Sequence, residues 1–208
     1  VRLQPTLYYI IVPILAALPF ADSFFVDQKS GYLKNVFTRC KKRDYFFSKY
    51  IAVFLSAGCA VVVPLLLNLL VTALLLPSTV PTACTGIFPM FSNQMWSVLF
   101  FTHPYWYIFF YLLLDFVFCG LWSTLSLIVA FYVNNRFVVL LVPFLLYVGA
   151  YFLLNFIGMD AMKVNPFFFL RPTQGDQQRF WPILIWMIGL LVVTLPLFVC
   201  KGTRDDVY

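Results

Sequence analysis

The sequence predicts an all-α fold: a polytopic bundle of membrane helices, with about five spans within 208 residues. Three observations predict it. Hydrophobic residues make up 62% of the chain and charged residues 11%, whereas a soluble domain carries about 25% charged residues. There are too few polar side chains to cover a soluble surface, and the same composition excludes disorder. Five apolar stretches are long enough for a hydrocarbon core about 30 Å thick. The basic residues concentrate in one loop, which is the signature of membrane topology.

The first span is predicted from about Thr6 to Val26, interrupted by Pro13 and Pro19. The second runs from about Tyr50 to Leu76, ends before Pro77 and is expected to kink at Pro64. The third runs from about Tyr105 to Val133, the fourth from Phe137 to Phe156 with Pro143 inside it, and the fifth from Trp181 to Cys200 with Pro196 inside it. The second and third exceed the length of a simple crossing, so they must tilt, kink or project. Proline is tolerated in membrane helices where neighbours satisfy the freed backbone groups, which favours a packed bundle over separate anchors.

The loops set the orientation. The segment Asp27–Lys49 holds Lys29, Lys34, Arg39, Lys41, Lys42, Arg43 and Lys49, half of the 14 basic residues. The loop Pro77–Pro104 holds none. By the excess of basic residues in cytoplasmic loops, Asp27–Lys49, the turn Asn134–Arg136 and the C-terminal tail with Lys201 and Arg204 are expected inside. Pro77–Pro104 and Ile157–Phe180 are expected outside, although the latter carries Lys163, Arg171 and Arg179 beside Asp160 and Asp176. This topology puts Val1 outside, and an absent N-terminal piece with one more helix would give six spans with both ends inside. The outer segments Ile87–Phe101 and Asn165–Leu170 are rich in Phe, Met and Trp. They are expected at the outer interface, with Trp96, Tyr105, Trp106, Tyr107 and Trp181 as an aromatic belt.

Several chemistries are excluded or disfavoured by what the chain lacks. There is no GxxxxGK[ST] and no GxGxxG, so neither phosphate-binding loop is present. The eight acidic residues are all Asp, and His103 is the only histidine. HExxH is therefore impossible, and a Ser/His/Asp arrangement would have to use His103, better read as interfacial. Cys40, Cys59, Cys84, Cys119 and Cys200 form no CxxC pair and imply no disulfide framework. They are read as small packing residues. No metal site is expected, and the net charge of +6 is a topology signal rather than a nucleic-acid footprint.

Two places stand out. After the first span, Gly31 is expected to allow a sharp change of direction and Ser30 to cap the next helix. Tyr32–Arg39 then reads as a short amphipathic helix. Leu33, Val36 and Phe37 share one face, with Lys34, Thr38 and Arg39 around the rest. Asp44 is expected to N-cap the second span. Such a loop either holds anionic lipid head groups or docks on a cytoplasmic partner. The second place is Asp115, about 10 residues into the third span and so about 15 Å deep. A carboxylate there costs at least about 2.5–3.5 kcal/mol. It should face the bundle interior, a subunit interface or a wet cavity, either as a substrate or proton contact or as a structural hydrogen-bond partner. Asn68 and Asn155 are read as hydrogen bonding between helices, and Gly120, Ser123 and Ser126 as points of close helix approach.

The run PILAALPFADSFFVDQKSGYLKNVFTRCKKRDYFFSKYIAVFL, Pro13–Leu55, resembles the start of bacterial ABC type-2 permeases, the membrane subunits of ATP-binding-cassette transporters. Asp22, Asp27, Gly31, Arg39, Tyr45 and Lys49 stand in the order of that family's pattern, while Gln28 stands where many members carry an acidic residue. The resemblance implies six helices per subunit and a coupling helix, here Gly31–Arg39, that docks on a separate ATPase. Leu33, Val36 and Phe37 would then make the contact, with Lys34 and Arg39 fixing its register. ATP and Mg would bind on that partner, with no cofactor in this chain. A second permease subunit, identical or different, would complete a transporter in the cell membrane, and such proteins mostly export. An amphipathic or apolar cargo suits the aromatic-rich spans. A secondary carrier, a substrate-capturing subunit, a membrane scaffold and an intramembrane enzyme are the alternatives.

Overall fold

A computed structural model describes residues 3–75, 95–156, 164–171 and 179–204. Every regular element among them is a helix. They are α1 (Leu3–Ala17), α2 (Ser23–Lys29), α3 (Tyr32–Phe37), α4 (Lys42–Leu75), α5 (Ser97–Thr102), α6 (Pro104–Ser123), α7 (Leu125–Val129), α8 (Arg136–Phe156), α9 (Pro166–Phe169) and α10 (Phe180–Arg204). Four stretches are long and apolar enough to cross a membrane: α4, α6 continued by α7, α8 and α10.

The expected first span is divided. Its apolar sequence continues to Val26, but α1 stops at Ala17, a turn intervenes, and α2 begins at Ser23. Pro19 explains the break, because it disfavours helical geometry in Leu18 and supplies no N–H. Fifteen residues of α1 rise only about 22 Å, less than the hydrocarbon thickness. The expected third span also breaks, at Thr124, and its helical part ends at Val129. The second begins earlier than its apolar run: α4 starts at Lys42 and is 34 residues long, about 51 Å at the rise of an α-helix. Its first two turns are polar, so hydropathy alone misses them. Asp44 lies in that first turn rather than at the cap, where its charge still complements the helix dipole. The segment 76–94, with Cys84, lies outside the described residues.

α4 and α6 form the central pair. α1 packs on α4, α6 and α8, and α10 packs on α4, α6 and α7. Close approach of the central pair depends on two glycines. A Cβ built on Gly58 would stand 2.7 Å from the Phe116 ring, and one on Gly120 would stand 2.7 Å from the Phe54 ring and 2.8 Å from the Phe54 carbonyl oxygen. Each helix thus offers a glycine to a phenylalanine of the other. Nearby, Ser123 Oγ donates to the Ala16 carbonyl at 3.2 Å, and Ser126 Oγ donates to the Ala21 carbonyl at 3.3 Å. These are the small, hydrogen-bonding contacts that hold membrane helices together where no hydrophobic force acts between them. Two side chains also reach carbonyls near the helix prolines, although not the carbonyls that the prolines free, which are those of Ala60 and Val139. Tyr8 Oη donates to the Val61 carbonyl at 2.7 Å, one turn before Pro64, and Trp122 Nε1 donates to the Pro143 carbonyl at 2.8 Å.

Asn68 corrects one expectation. Its side chain is exposed and accepts from Thr72 of its own helix, and among the described residues it makes no bond to another helix. The Asn155 side chain lies outside the described residues. Among the cysteines, Cys119 is buried as expected, whereas Cys59 and Cys200 are exposed. Two apolar cores result. One, around Phe24, Leu33, Phe46, Leu127, Val139 and Phe198, fills the end where α2, α3, the α7–α8 turn and the C-terminus of α10 converge. The other, around Val12, Tyr111, Phe118, Trp122, Tyr147 and Ile183, fills the rest.

Candidate functional site

The α2–α3–α4 elbow is built from the chain's most polar segment. Gly31 takes φ +71°, the left-handed region that only glycine enters freely, and this reverses the chain between α2 and α3. Gly31, rather than Ser30, stands at the N-cap of α3, while Ser30 closes α2 and its Oγ donates to the Asp27 carbonyl at 3.2 Å. Asp27 fixes the elbow to α4. Its Oδ2 accepts from Tyr45 Oη at 2.5 Å and from Lys49 Nζ at 2.5 Å. Tyr45 and Lys49 are four residues apart, so both point from one face of α4. Lys49 also lies 4.8 Å above the Phe20 ring. A second ion pair, between Asp22 Oδ2 and Arg136 Nε, ties the turn after α1 to the start of α8. Gly31, Asp27, Tyr45 and Lys49 therefore build and hold the elbow, and Asp22 secures the turn that precedes it.

Leu33 is 1% exposed and belongs to the core beneath the elbow, Val36 is half-buried, and Phe37 packs edge-on against Tyr45 with ring centroids 5.7 Å apart. Of the apolar face expected to meet a partner, Leu33 is buried in the chain's own bundle, while Val36 and Phe37 are only partly covered by it. The face turned outward carries Tyr32, Lys34, Asn35, Thr38 and Arg39, and Lys41 and Arg43 come after it, also exposed. α3 thus presents a basic surface on an apolar footing.

Asp115 lies deep in the second core, 2% exposed, on α6. Tyr9 of α1 donates to its Oδ2 at 3.2 Å, so the carboxyl group faces the bundle interior, as its cost in a membrane requires. Its Oδ1 has no hydrogen-bond partner among the described residues, and neither has Tyr147 Oη. Asp115 stands out in the sequence, but Tyr9 and Tyr147 beside it do not, since tyrosines are common throughout. Arg136 is legible only as the lone charge of a short turn.

Arg171 carries no sequence signal of its own beyond its charge. It comes after α9, where Asn165 Oδ1 accepts from the Phe167 N–H at 2.9 Å and starts the turn. The Arg171 guanidinium stacks 3.9 Å from the Phe167 ring centroid. Burial lowers its pKa from the usual guanidinium value, opposed by the nearby Tyr147. A groove of about 320 Å³ runs between α1, α8 and α9, lined by Ile10, Tyr147, Val148, Tyr151, Phe152 and Phe167. No group of His, Cys and Asp among the described residues could hold a metal ion. Comparisons with protein-family models, with curated proteins and with solved structures find no match for this chain.

Proposed function

We propose that the chain is the transmembrane permease subunit of an ATP-binding-cassette transporter, driven by a separate ATPase that contacts the exposed face of α3. The observation that carries this reading is the elbow. A six-residue helix lies across one end of the bundle with Phe37 against Tyr45 and Phe46 of α4. The preceding α2 is bonded to α4 through Asp27, Tyr45 and Lys49, and the basic face of α3 points away from the bundle. A permease with no nucleotide-binding loop must receive force through a contact. A small helix locked to the base of the longest helix is suited to passing that force into α4. In this reading the elbow, the α7–α8 turn and the end of α10 are cytoplasmic, following the positive-inside rule. The protein resides in the cell membrane, and a second permease subunit pairs with it. ATP and Mg belong to the ATPase. The cargo is amphipathic or apolar and is exported.

The docking surface in this reading is Lys34, Asn35, Thr38 and Arg39, with Gly31, Leu33, Val36 and Phe37 setting its position. Co-expression with candidate cassette ATPases tests it. The wild-type chain is expected to co-purify with one of them and to stimulate its ATP hydrolysis in lipid. The double variant Lys34→Glu, Arg39→Glu is expected to insert and fold normally. Its ATPase binding should fall by about tenfold or more, the size of effect that charge reversal at a contact produces. A double variant that binds and stimulates like wild type would remove α3 as the docking element.

One observation favours a second reading, an ion- or proton-coupled carrier: the interior carboxyl of Asp115 with one oxygen unpartnered among the described residues. Transport that continues without any ATPase, and stops in Asp115→Asn, would support that reading over the first.

A further inference from the structure

The groove between α1, α8 and α9 shares a wall with the interior of the bundle. Tyr147 of α8 lines the groove, together with Ile10, Val148 and Phe152. The same side chain lines a narrow gap inside the bundle, bounded by Val12 and Pro13 of α1 and by Cys119 and Trp122 of α6. The gap is too narrow to admit water. Among the described residues, Tyr147 is the one common to both linings. The groove opens outward, since Ile10 and Phe152 are exposed, and in a membrane-spanning bundle that side meets lipid. Cys119 is 2% exposed and stands one turn beyond Asp115 on the same face of α6. The Tyr147 ring thus stands between lipid and the core next to Asp115.

This ring is held by packing rather than by a hydrogen bond. Tyr147 Oη has no partner among the described residues, so turning the ring breaks no bond there. A buried hydroxyl without a partner also makes the closed position costly. The ring meets Trp122 edge-on with centroids 5.7 Å apart. Trp122 is the fixed side of that contact, because its Nε1 donates to the Pro143 carbonyl. The facing wall is pliable as well. Pro13 supplies no N–H to the Tyr9 carbonyl, so α1 lacks one helical bond in the turn that carries Ile10 to the groove and Val12 to the gap. Neither lining includes a charged side chain, and a bare charge between such walls would be costly. The passage is therefore complementary to an uncharged, apolar molecule.

We propose that Tyr147 is a gate, and that small uncharged apolar molecules pass from the bilayer through the groove into the gap beside Cys119 when its ring turns aside. The passage lies within one chain and needs neither an ATPase nor a second subunit. It therefore stands or falls separately from the permease reading.

The full chain in phosphatidylcholine nanodiscs provides the test. Cys40→Ser, Cys59→Ser, Cys84→Ser and Cys200→Ser leave Cys119 as the only thiol. Labelling by N-phenylmaleimide, which partitions into lipid, is compared with labelling by a permanently charged trimethylammonium thiosulfonate. Mass spectrometry of the intact protein follows both, with rates normalised to those for free cysteine. The apolar reagent is expected to label Cys119, and the charged one to lag about tenfold or more behind it, since a charge cannot cross the apolar passage cheaply. Tyr147→Ala should speed the apolar reagent by about tenfold or more, because a minor open state becomes the standing one, and should leave the charged reagent slow. Ile10→Trp, which fills the groove from its exposed edge, should slow the apolar reagent by a similar factor. An apolar rate that either variant leaves unchanged would overturn the proposal. So would equal acceleration of both reagents in Tyr147→Ala, which would mean a core opened to water. Ile10→Trp decides the matter even if Tyr147→Ala fails to fold.

Discussion

Gly120→Leu is expected to abolish the folded bundle, with a loss of about 3 kcal/mol or more, the upper end of the range for overpacking. The added Cβ alone would stand 2.8 Å from the Phe54 carbonyl oxygen. A ring can turn aside, but a backbone carbonyl cannot move without shifting α4. Since α4 and α6 form the central pair, the other helices would lose their common support. Size-exclusion chromatography and thermal unfolding in detergent read the outcome. Gly149→Leu and Gly189→Leu are the controls, since a Cβ at either position meets nothing within 4 Å. Their stability should stay within about 0.5 kcal/mol of wild type, as for surface changes in general. Equal behaviour of all three variants would show that the α4–α6 pair does not depend on close approach at Gly120.

The second large effect is expected at Asp27. Its carboxylate is 21% exposed and the Lys49 ammonium side chain 11% exposed, so the pair is largely withdrawn from water. Asp27→Ala leaves Lys49 and Tyr45 without their common acceptor. Removing one partner of a buried pair costs about 3–5 kcal/mol, and partial exposure places this one at the lower end. The consequence should be local. The α2–α3 elbow comes free of α4 while the α4–α6 pair persists. Hydrogen exchange is expected to accelerate across residues 23–40 and to remain slow across the buried part of α6. Asp27→Asn should fall between wild type and alanine, because an amide oxygen can still accept from Tyr45. Uniform acceleration along the chain would contradict this separation, and so would no change at the elbow.

Much of this architecture is legible in the amino-acid order alone. Helical spans announce themselves by apolar length, so α4, α6, α8 and α10 lie where expected. Gly120, Ser123 and Ser126 are readable because small residues in a large apolar run have few other uses. The elbow is legible in outline, since Gly31 and the basic run interrupt the apolar pattern. The direction of α3 is not legible. The stripe of Leu33, Val36 and Phe37 specifies that one face is buried, but not whether a partner or the chain itself covers it. Helix termini escape for a related reason. Hydropathy records where the apolar residues stop, not where hydrogen bonding stops, so it misses both the polar first turns of α4 and the Pro19 break within an apolar stretch. Pairs distant in sequence, such as Asp22 with Arg136 and Tyr9 with Asp115, depend on the packing of the bundle and leave no local trace.

The permease reading turns on one contact, an ATPase pushing on the exposed face of α3. Site-specific photo-crosslinking in the membrane tests it most directly, with a photoreactive side chain placed in turn at Lys34, Asn35 and Arg39, and at Val98 and Tyr105 at the opposite end. Adducts are expected from the three α3 positions, identified by mass spectrometry as a cassette ATPase, and none from Val98 or Tyr105. Membranes that contain the ATPase yet yield no α3 adduct, or yield adducts only from the opposite end, would contradict it.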